Sequence, residues 1–258
     1  MTTLNATIRD WPNQRVWIIG ASTGIGKALA DALLAKGARV AVSARRAQVL
    51  DEAFGHQPRA LCAPLDLTDR AAVASGLTQI VENWGGVDLV ILMAGAYRAL
   101  RAWDLTDELI RETMETNVYG VMNASALLTQ HFVQQGSGHL SIVSSVAGYR
   151  GLPKALVYGP SKAAATNFAE VLYLDLSEKG IGVSVVHPGF VRTPLTAGND
   201  FNMPHLIEPE QAATEMIRGY ERGDFDIHFP RAFTRQLKFL RMLPYRWYFK
   251  LIKRSTGL

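Results

Sequence analysis

Two patterns of apolar residues alternate along this chain. Short runs rich in β-branched and large apolar side chains occur at 16–19, 39–43, 87–93, 139–144 and 182–187, with a further run at 225–229. Between them lie longer stretches with apolar residues at helical spacing, over 25–34, 71–84, 107–135 and 158–179. The short runs are nearly continuous, as in Val16-Trp17-Ile18-Ile19 and Leu89-Val90-Ile91-Leu92. A strand wetted on one face would alternate; continuity marks strands buried on both faces of a parallel sheet. Strand–helix alternation over this length predicts an α/β fold, a doubly wound parallel sheet with right-handed crossovers. No low-complexity linker or internal repeat divides it, so one domain is assigned to 1–230, followed by a helical extension at 231–258.

Composition confirms a globular chain, and charge changes the picture at one end only. The 258 residues are 48% hydrophobic, which excludes disordered and fibrous classes. They carry 27 Lys and Arg against 23 Asp and Glu, a net of +4. Eight of the basic residues (Arg231, Arg235, Lys238, Arg241, Arg246, Lys250, Lys253, Arg254) lie in the extension, which has no acidic residue. The first 230 residues therefore hold 19 basic and 23 acidic side chains, a net of −4. With no basic stripe on its main domain, the protein is not expected to bind nucleic acid. The lone Cys62 fits a reducing compartment, and no apolar run is long enough to span a bilayer. The first eleven residues lack the apolar core of a signal peptide, so a cytoplasmic location is expected. The six histidines show no ligand spacing, and no metal site is expected.

The first strand runs into Gly20-Ala21-Ser22-Thr23-Gly24-Ile25-Gly26 and then a helix. Such a turn aims free backbone N–H groups and the helix dipole at one point, which suits a pyrophosphate. Glycine is needed where the backbone turns tightly or approaches the ligand. After the second strand, where a dinucleotide site reads the adenosine ribose, stand Arg45 and Arg46 with no carboxylate. Guanidinium groups bind a 2′-phosphate in a fork, which favours NADP(H) over NAD(H); the plainer alternative is a solvated turn.

Tyr158 and Lys162 lie four apart at the start of a predicted helix, on one face. Tyrosine is a poor acid or base at neutral pH, and a neighbouring ammonium with a cationic nicotinamide would lower its pKa. The same pair is also common on helix surfaces. The wider set of motifs resembles the short-chain dehydrogenase/reductase family, in its short single-domain branch with a Rossmann-like fold. The resemblance covers about residues 14–195 and rests on Gly20, Gly24 and Gly26, Asp66, Ala94-Gly95, Asn117, Ser145, Tyr158 with Lys162, and Pro188-Gly189.

The resemblance implies roles position by position. Tyr158 is the acid/base; Ser145 holds the substrate oxygen; Lys162 binds the nicotinamide ribose and depresses the tyrosine pKa. Asn117 holds a water that relays protons from Lys162. Ser22, Thr23 and Ile25 share the phosphate loop, Asp66 faces the adenine with Leu67 beside it, and Pro188, Gly189, Val191 and Thr193 line the nicotinamide. The resemblance also implies a homodimer or homotetramer. At Leu92-Met93-Ala94-Gly95 the chain departs from the family's usual Asn-Asn-Ala-Gly. Apolar packing is expected to replace the asparagine hydrogen bonds there, with activity retained.

The segment after Gly189 carries Leu195, Phe201, Met203, Leu206 and Ile207 among Gly, Asn and Pro. It reads as a mobile lid over a hydrophobic substrate, or as a loop packed on the core. In the extension, Phe233, Leu237, Leu240 and Leu243 share a helical face, Pro244 breaks the run, and Tyr248 and Ile252 continue the stripe. A basic amphipathic segment suits peripheral contact with an anionic membrane; packing on the core, closing the substrate pocket or joining a subunit interface are the alternatives. The expected function is interconversion of a small-molecule carbonyl and secondary alcohol, with an apolar or lipid-like substrate. The alternative is a non-catalytic NADP(H) sensor or scaffold attached through its basic tail.

Overall fold

A computed structural model describes residues 3–257. Among them, seven parallel strands form one sheet: β1 (Arg15–Ile19), β2 (Arg39–Ser43), β3 (Ala60–Cys62), β4 (Leu89–Leu92), β5 (His139–Val143), β6 (Gly182–Pro188) and β7 (Asp226–Phe229), in the order β3-β2-β1-β4-β5-β6-β7. The order reverses between β1 and β4, so the crevice beyond their C-terminal ends is where such a sheet takes a ligand. Alternate residues of one strand go to opposite cores. Val16 and Ile18 pack with α1 (Gly24–Ala35), α2 (Ala47–Phe54) and α7 (Pro209–Arg222). Trp17 and Ile19 pack with α3 (Arg70–Trp84), α5 (Val121–Gln135) and α6 (Tyr158–Ser177). That two-sided burial is why the strands read as unbroken apolar runs.

The predicted strands appear with their ends shifted by at most two residues. Strand β3 and helices α2 and α7 were not predicted: β3 is a three-residue edge strand whose side chains are only half-buried, so its apolar signal is short. The stretch 107–135, expected as one helix, is α4 (Asp107–Met114), a π-helical turn at Glu115–Gly120, and α5. Widened turns of this kind recur at functional sites. This one carries Asn117.

The extension forms α8 (Arg231–Arg241) and α9 (Tyr245–Thr256), separated at Pro244. Phe233 joins a small core with Val146 and Tyr149, against which Phe190 and Leu237 pack. Tyr248 and Ile252 are also buried. The stripe read as membrane-facing thus faces the body over much of its length, because the loop before α6 offers it an apolar partner.

Candidate active site

One cleft of about 470 Å³ opens at the C-terminal ends of β1, β4, β5 and β6. Its floor is the turn from β1 into α1. Gly20 sits at φ +111, and a Cβ there would lie 2.6 Å from the Ala94 nitrogen. At Gly26, in the first turn of α1, a Cβ would lie 2.1 Å from the Gly20 carbonyl oxygen, so only glycine lets the helix pack this closely on the turn. Thr23 precedes α1 in an extended conformation, and no side chain caps the helix or places a carboxylate in its first turn. The first N–H groups of α1 therefore lack side-chain acceptors, and a pyrophosphate fits them.

Gly20, Ser22, Thr23, Gly24, Ile25 and Gly26 line this cleft together with Arg45, Arg46, Asp66, Leu67, Ala94 and Gly95. Ser145, Tyr158, Lys162, Pro188, Gly189, Val191 and Thr193 line it from the other side. Arg45 and Arg46 are exposed at its rim. Asp66 turns one carboxylate oxygen, Oδ1, to the backbone N–H and hydroxyl of Thr68, 2.9 and 2.8 Å away. Asn117 is fully buried behind the wall. At the departure from the usual asparagines, Met93 packs into the core, and the N–H groups of Met93 and Ala94 both donate to the Ile19 carbonyl at 2.9 and 2.8 Å. Backbone bonds and apolar packing hold this loop.

The chemistry-bearing side chains converge from β5, α6 and the π-turn. Lys162 is buried, and its Nζ donates to the Val143 carbonyl at 2.9 Å. Burial without a carboxylate partner pulls its ammonium down to about 8. The Lys162 nitrogen is 5.7 Å from the centroid of the Tyr158 ring. Burial pushes the Tyr158 phenol up to about 12, with the Ser145 hydroxyl pulling the other way and Tyr97 adding to the rise. This is the value of the polypeptide alone, in which desolvation dominates and the Lys162 ammonium is turned to Val143; the expected lowering involves a bound cationic nicotinamide as well.

Asn117 is engaged on every side by protein. Its Oδ1 accepts the Ala96 N–H at 2.8 Å, and its Nδ2 donates to the Ala96 carbonyl at 2.9 Å and the Ser161 hydroxyl at 3.0 Å. Both of its N–H donors are thereby engaged with protein. What the side chain does here is tie the loop after β4 to α6, one residue from Lys162.

The family model described as short chain dehydrogenase matches residues 14–202, well over half the chain. The chain belongs to this short-chain dehydrogenase family. It is an NAD(P)-dependent oxidoreductase of the carbonyl and alcohol class. An uncharacterized oxidoreductase of Myxococcus xanthus is 36% identical over 231 residues, 88% of this chain and 91% of that one. A short chain dehydrogenase from Burkholderia cenocepacia in complex with NADP superposes with a TM-score of 0.81 at 22% identity, covering 97% and 99% of the two chains. A family member from Burkholderia phymatum in complex with NAD gives 0.80 at 21%, covering 90% and 94%. These two likenesses concern the fold.

Around this dehydrogenase cleft stand residues that sequence reasoning did not find. Tyr97 lies edge-on to Tyr158, ring centroids 4.9 Å apart, and its hydroxyl donates to Asn199 Oδ1 at 2.9 Å. Lys154 pairs with Asp200 and lies over the Phe201 ring, so the segment expected as a lid is tied down by Tyr97 and by Lys154. Arg150 donates to the carbonyls of Leu240, Arg241 and Leu243 and lies 4.4 and 4.1 Å from the rings of Tyr245 and Tyr248. The Tyr248 hydroxyl donates to the Gly151 carbonyl at 2.8 Å. The extension thus closes on the loop that leads to Tyr158.

A buried polar chain links the same two parts. Ser144 Oγ donates to the Lys162 carbonyl and meets Thr166 Oγ1, each at 2.8 Å. Thr166 meets His187 Nε2 at 3.0 Å, and His187 Nδ1 meets Asp226 at 2.8 Å. Asp226 in turn accepts from Lys238 of α8. Burial works to raise the Asp226 carboxyl, but His187 and Lys238 outweigh it and hold it well below the usual carboxylate range. Tyr149 lies 4.6 Å from the His187 ring, and its buried hydroxyl has no hydrogen-bond partner among the described residues. No spacing rule signals these contacts, since each joins residues far apart in the chain. Among the described residues no group of three His, Cys, Asp or Glu side chains could hold a metal ion.

Proposed function

We propose that this dehydrogenase interconverts a carbonyl and a secondary alcohol on an apolar or lipid-like small molecule, using NADP(H) in preference to NAD(H). The observation that carries the reading is the convergence of Ser145, Tyr158 and Lys162 on the cleft that the uncapped start of α1 also faces. The cofactor supplies or accepts a hydride at its nicotinamide ring when bound. In the reducing direction Tyr158 gives the proton of its phenolic oxygen to the substrate oxygen, and Ser145 holds that oxygen by a hydrogen bond. A phenol that burial pushes up to about 12 keeps this proton at neutral pH. Lys162, anchored on Val143 and next to Gly95, binds the ribose hydroxyls. Asn117 positions the loop and helix that carry Gly95 and Lys162.

Arg45 and Arg46 at the rim, with no carboxylate beside them after β2, support the 2′-phosphate reading. Asp66, Leu67, Pro188, Gly189, Val191 and Thr193 are assigned to the adenine and nicotinamide ends as before. Tyr97 beside Tyr158, with Phe201 and Met203 in the segment that Tyr97 and Lys154 hold, supports an apolar substrate. A homo-oligomer is supported by exposed apolar residues on α5 and α6, among them Val133, Val171 and Leu174. A cytoplasmic enzyme with peripheral membrane contact through 231–258 completes the reading; no helix among the described residues is long and apolar enough to cross a membrane. A sensor would have no need of Tyr158. NADPH and NADH oxidation across a panel of carbonyl compounds tests the reading. Turnover that prefers NADH, or that survives Tyr158→Phe, would overturn it.

A further inference from the structure

We propose that the outward face of the α8–α9 pair is a docking surface for an anionic lipid bilayer. This rests on the reading of peripheral contact through 231–258 and names the face that makes it. The face is not the stripe legible in the sequence, since Phe233, Tyr248 and Ile252 are buried. A second apolar set on the same helices is exposed: Phe239 (60%), Met242 (74%), Tyr245 (68%), Trp247 (59%), Phe249 (52%) and Leu251 (42%). Six large apolar residues exposed in a stretch of 13 form a patch of the kind that marks an interaction site.

Their arrangement follows from helical spacing. In α8, Arg235, Phe239 and Met242 recur at i, i+4 and i+7, on the side away from Phe233 and Leu237. In α9, Arg246, Lys250 and Arg254 lie opposite Tyr248 and Ile252. Trp247 and Leu251 flank that basic crest on one side, Tyr245 and Phe249 on the other. Among the described residues, only Lys238 of the eight basic side chains of the extension makes an ion pair. Seven positive charges therefore face outward beside aromatic and aliphatic side chains.

Charge selects the occupant. The body, with its net charge of −4, is repelled by an anionic surface and the extension is attracted, so only this face can approach. A second copy placed face to face would bring seven positive charges against seven. A nucleic acid would leave Phe239, Met242 and Leu251 without apolar partners. A bilayer interface takes all of it: headgroups for the basic crest, aromatic rings at headgroup depth, and Phe and Leu at the acyl boundary.

The test is sedimentation of the full chain with vesicles of phosphatidylcholine alone and of phosphatidylcholine with phosphatidylglycerol. Binding to the anionic vesicles, absent with phosphatidylcholine alone, is expected. Arg246→Gln with Lys250→Gln should weaken it roughly 25-fold, about fivefold per charge. Phe239→Ser with Trp247→Ser should weaken it at least tenfold. All four residues are exposed, so unchanged melting temperatures verify the fold; deleting 231–258 would instead uncover Val146 and Tyr149. If the full chain ignores anionic vesicles, both this proposal and the peripheral reading fail. If it binds them and both double variants bind equally well, this face is wrong and the peripheral reading survives. Self-association abolished by the apolar variants, or binding to duplex DNA, with no vesicle binding would assign the face to another partner and overturn the proposal.

Discussion

The floor of the cleft and the wall around Tyr158 are built from different materials. From Gly20 to Gly26 the floor is backbone: a turn so tight that a Cβ at Gly20 or Gly26 would meet main-chain atoms at 2.6 and 2.1 Å. From Tyr149 to Lys154 the loop that leads to the Tyr158 wall is held by side chains. Arg150 and Tyr248 bridge positions 90 to 97 residues apart, and the extension supplies one partner of every bridge. The floor therefore depends on a short run of consecutive residues, packed against the loop after β4 at Ala94. The Arg150 and Tyr248 bridges form only when residues 231–257 are docked. The proposed function places the cofactor phosphates on the floor and the substrate beside the wall.

The largest effect that separates the two is expected at the reacting group. Tyr158→Phe should lower the rate constant for carbonyl reduction by about 10³-fold while cofactor affinity changes less than twofold. Stopped-flow turnover together with fluorescence titration of NADPH checks this. Equal loss of cofactor binding would mean that floor and wall are not separable.

Next comes the buried ammonium. Lys162 is held at about 8 in the folded protein against an ordinary 10.5. Its folded value is the lower, so the unfolded chain binds more protons between pH 8 and 10.5 and stability rises with pH across that window. The gain is up to about 3 kcal/mol at 1.36 kcal/mol per unit. Cys62 and the buried tyrosines, Tyr158 among them, are raised by burial and act in the other direction as pH nears their ordinary values of 9 and 10. Denaturant unfolding at pH 8 and pH 10 should therefore show the wild-type protein gaining stability relative to Lys162→Met, whose own stability falls over that range. A rise that persists in the variant would assign it elsewhere.

A smaller change is expected at the rim of the floor. Arg45→Glu should shift the ratio of kcat/KM for NADPH over NADH by about 10- to 100-fold toward NADH, since a carboxylate repels the 2′-phosphate and accepts from a 2′-hydroxyl. An unchanged ratio would remove Arg45 from cofactor recognition.

The smallest effect tests the wall by itself. Arg150→Ala removes three hydrogen bonds to carbonyls and two cation–aromatic contacts, and should cost about 1.5–3 kcal/mol of stability. Substrate KM should rise with cofactor affinity unmoved. Cofactor affinity falling in step with KM would show that the extension also supports the floor.

Legibility followed the same division. The glycine spacing, the continuous strands and the Tyr158–Lys162 interval are local, so their physical reasons act within a few residues and leave a pattern. The family match over 14–202 agrees with that part. Strand β3 was missed because three half-buried edge residues carry too little apolar signal. The π-turn was missed because its widening is set by where Asn117 must reach Ala96 and Ser161, not by residue preference. The upward push of burial on the Tyr158 phenol left no trace in the sequence, because it comes from the whole fold and not from a neighbour four residues away.

By itself the sequence determined the alternation of strand and helix, the phosphate-binding turn and the chemical groups available for hydride and proton chemistry. Side-chain periodicity and the missing Cβ of glycine act at short range, whatever the rest of the chain does. Tertiary structure decided which of two apolar faces on the extension is buried, where Arg150 and Lys238 find their partners, and how burial shifts Tyr158 and Lys162. Those outcomes depend on desolvation and on contacts between residues far apart in sequence, which arise only when the sheet has placed β5, α6 and α8 side by side.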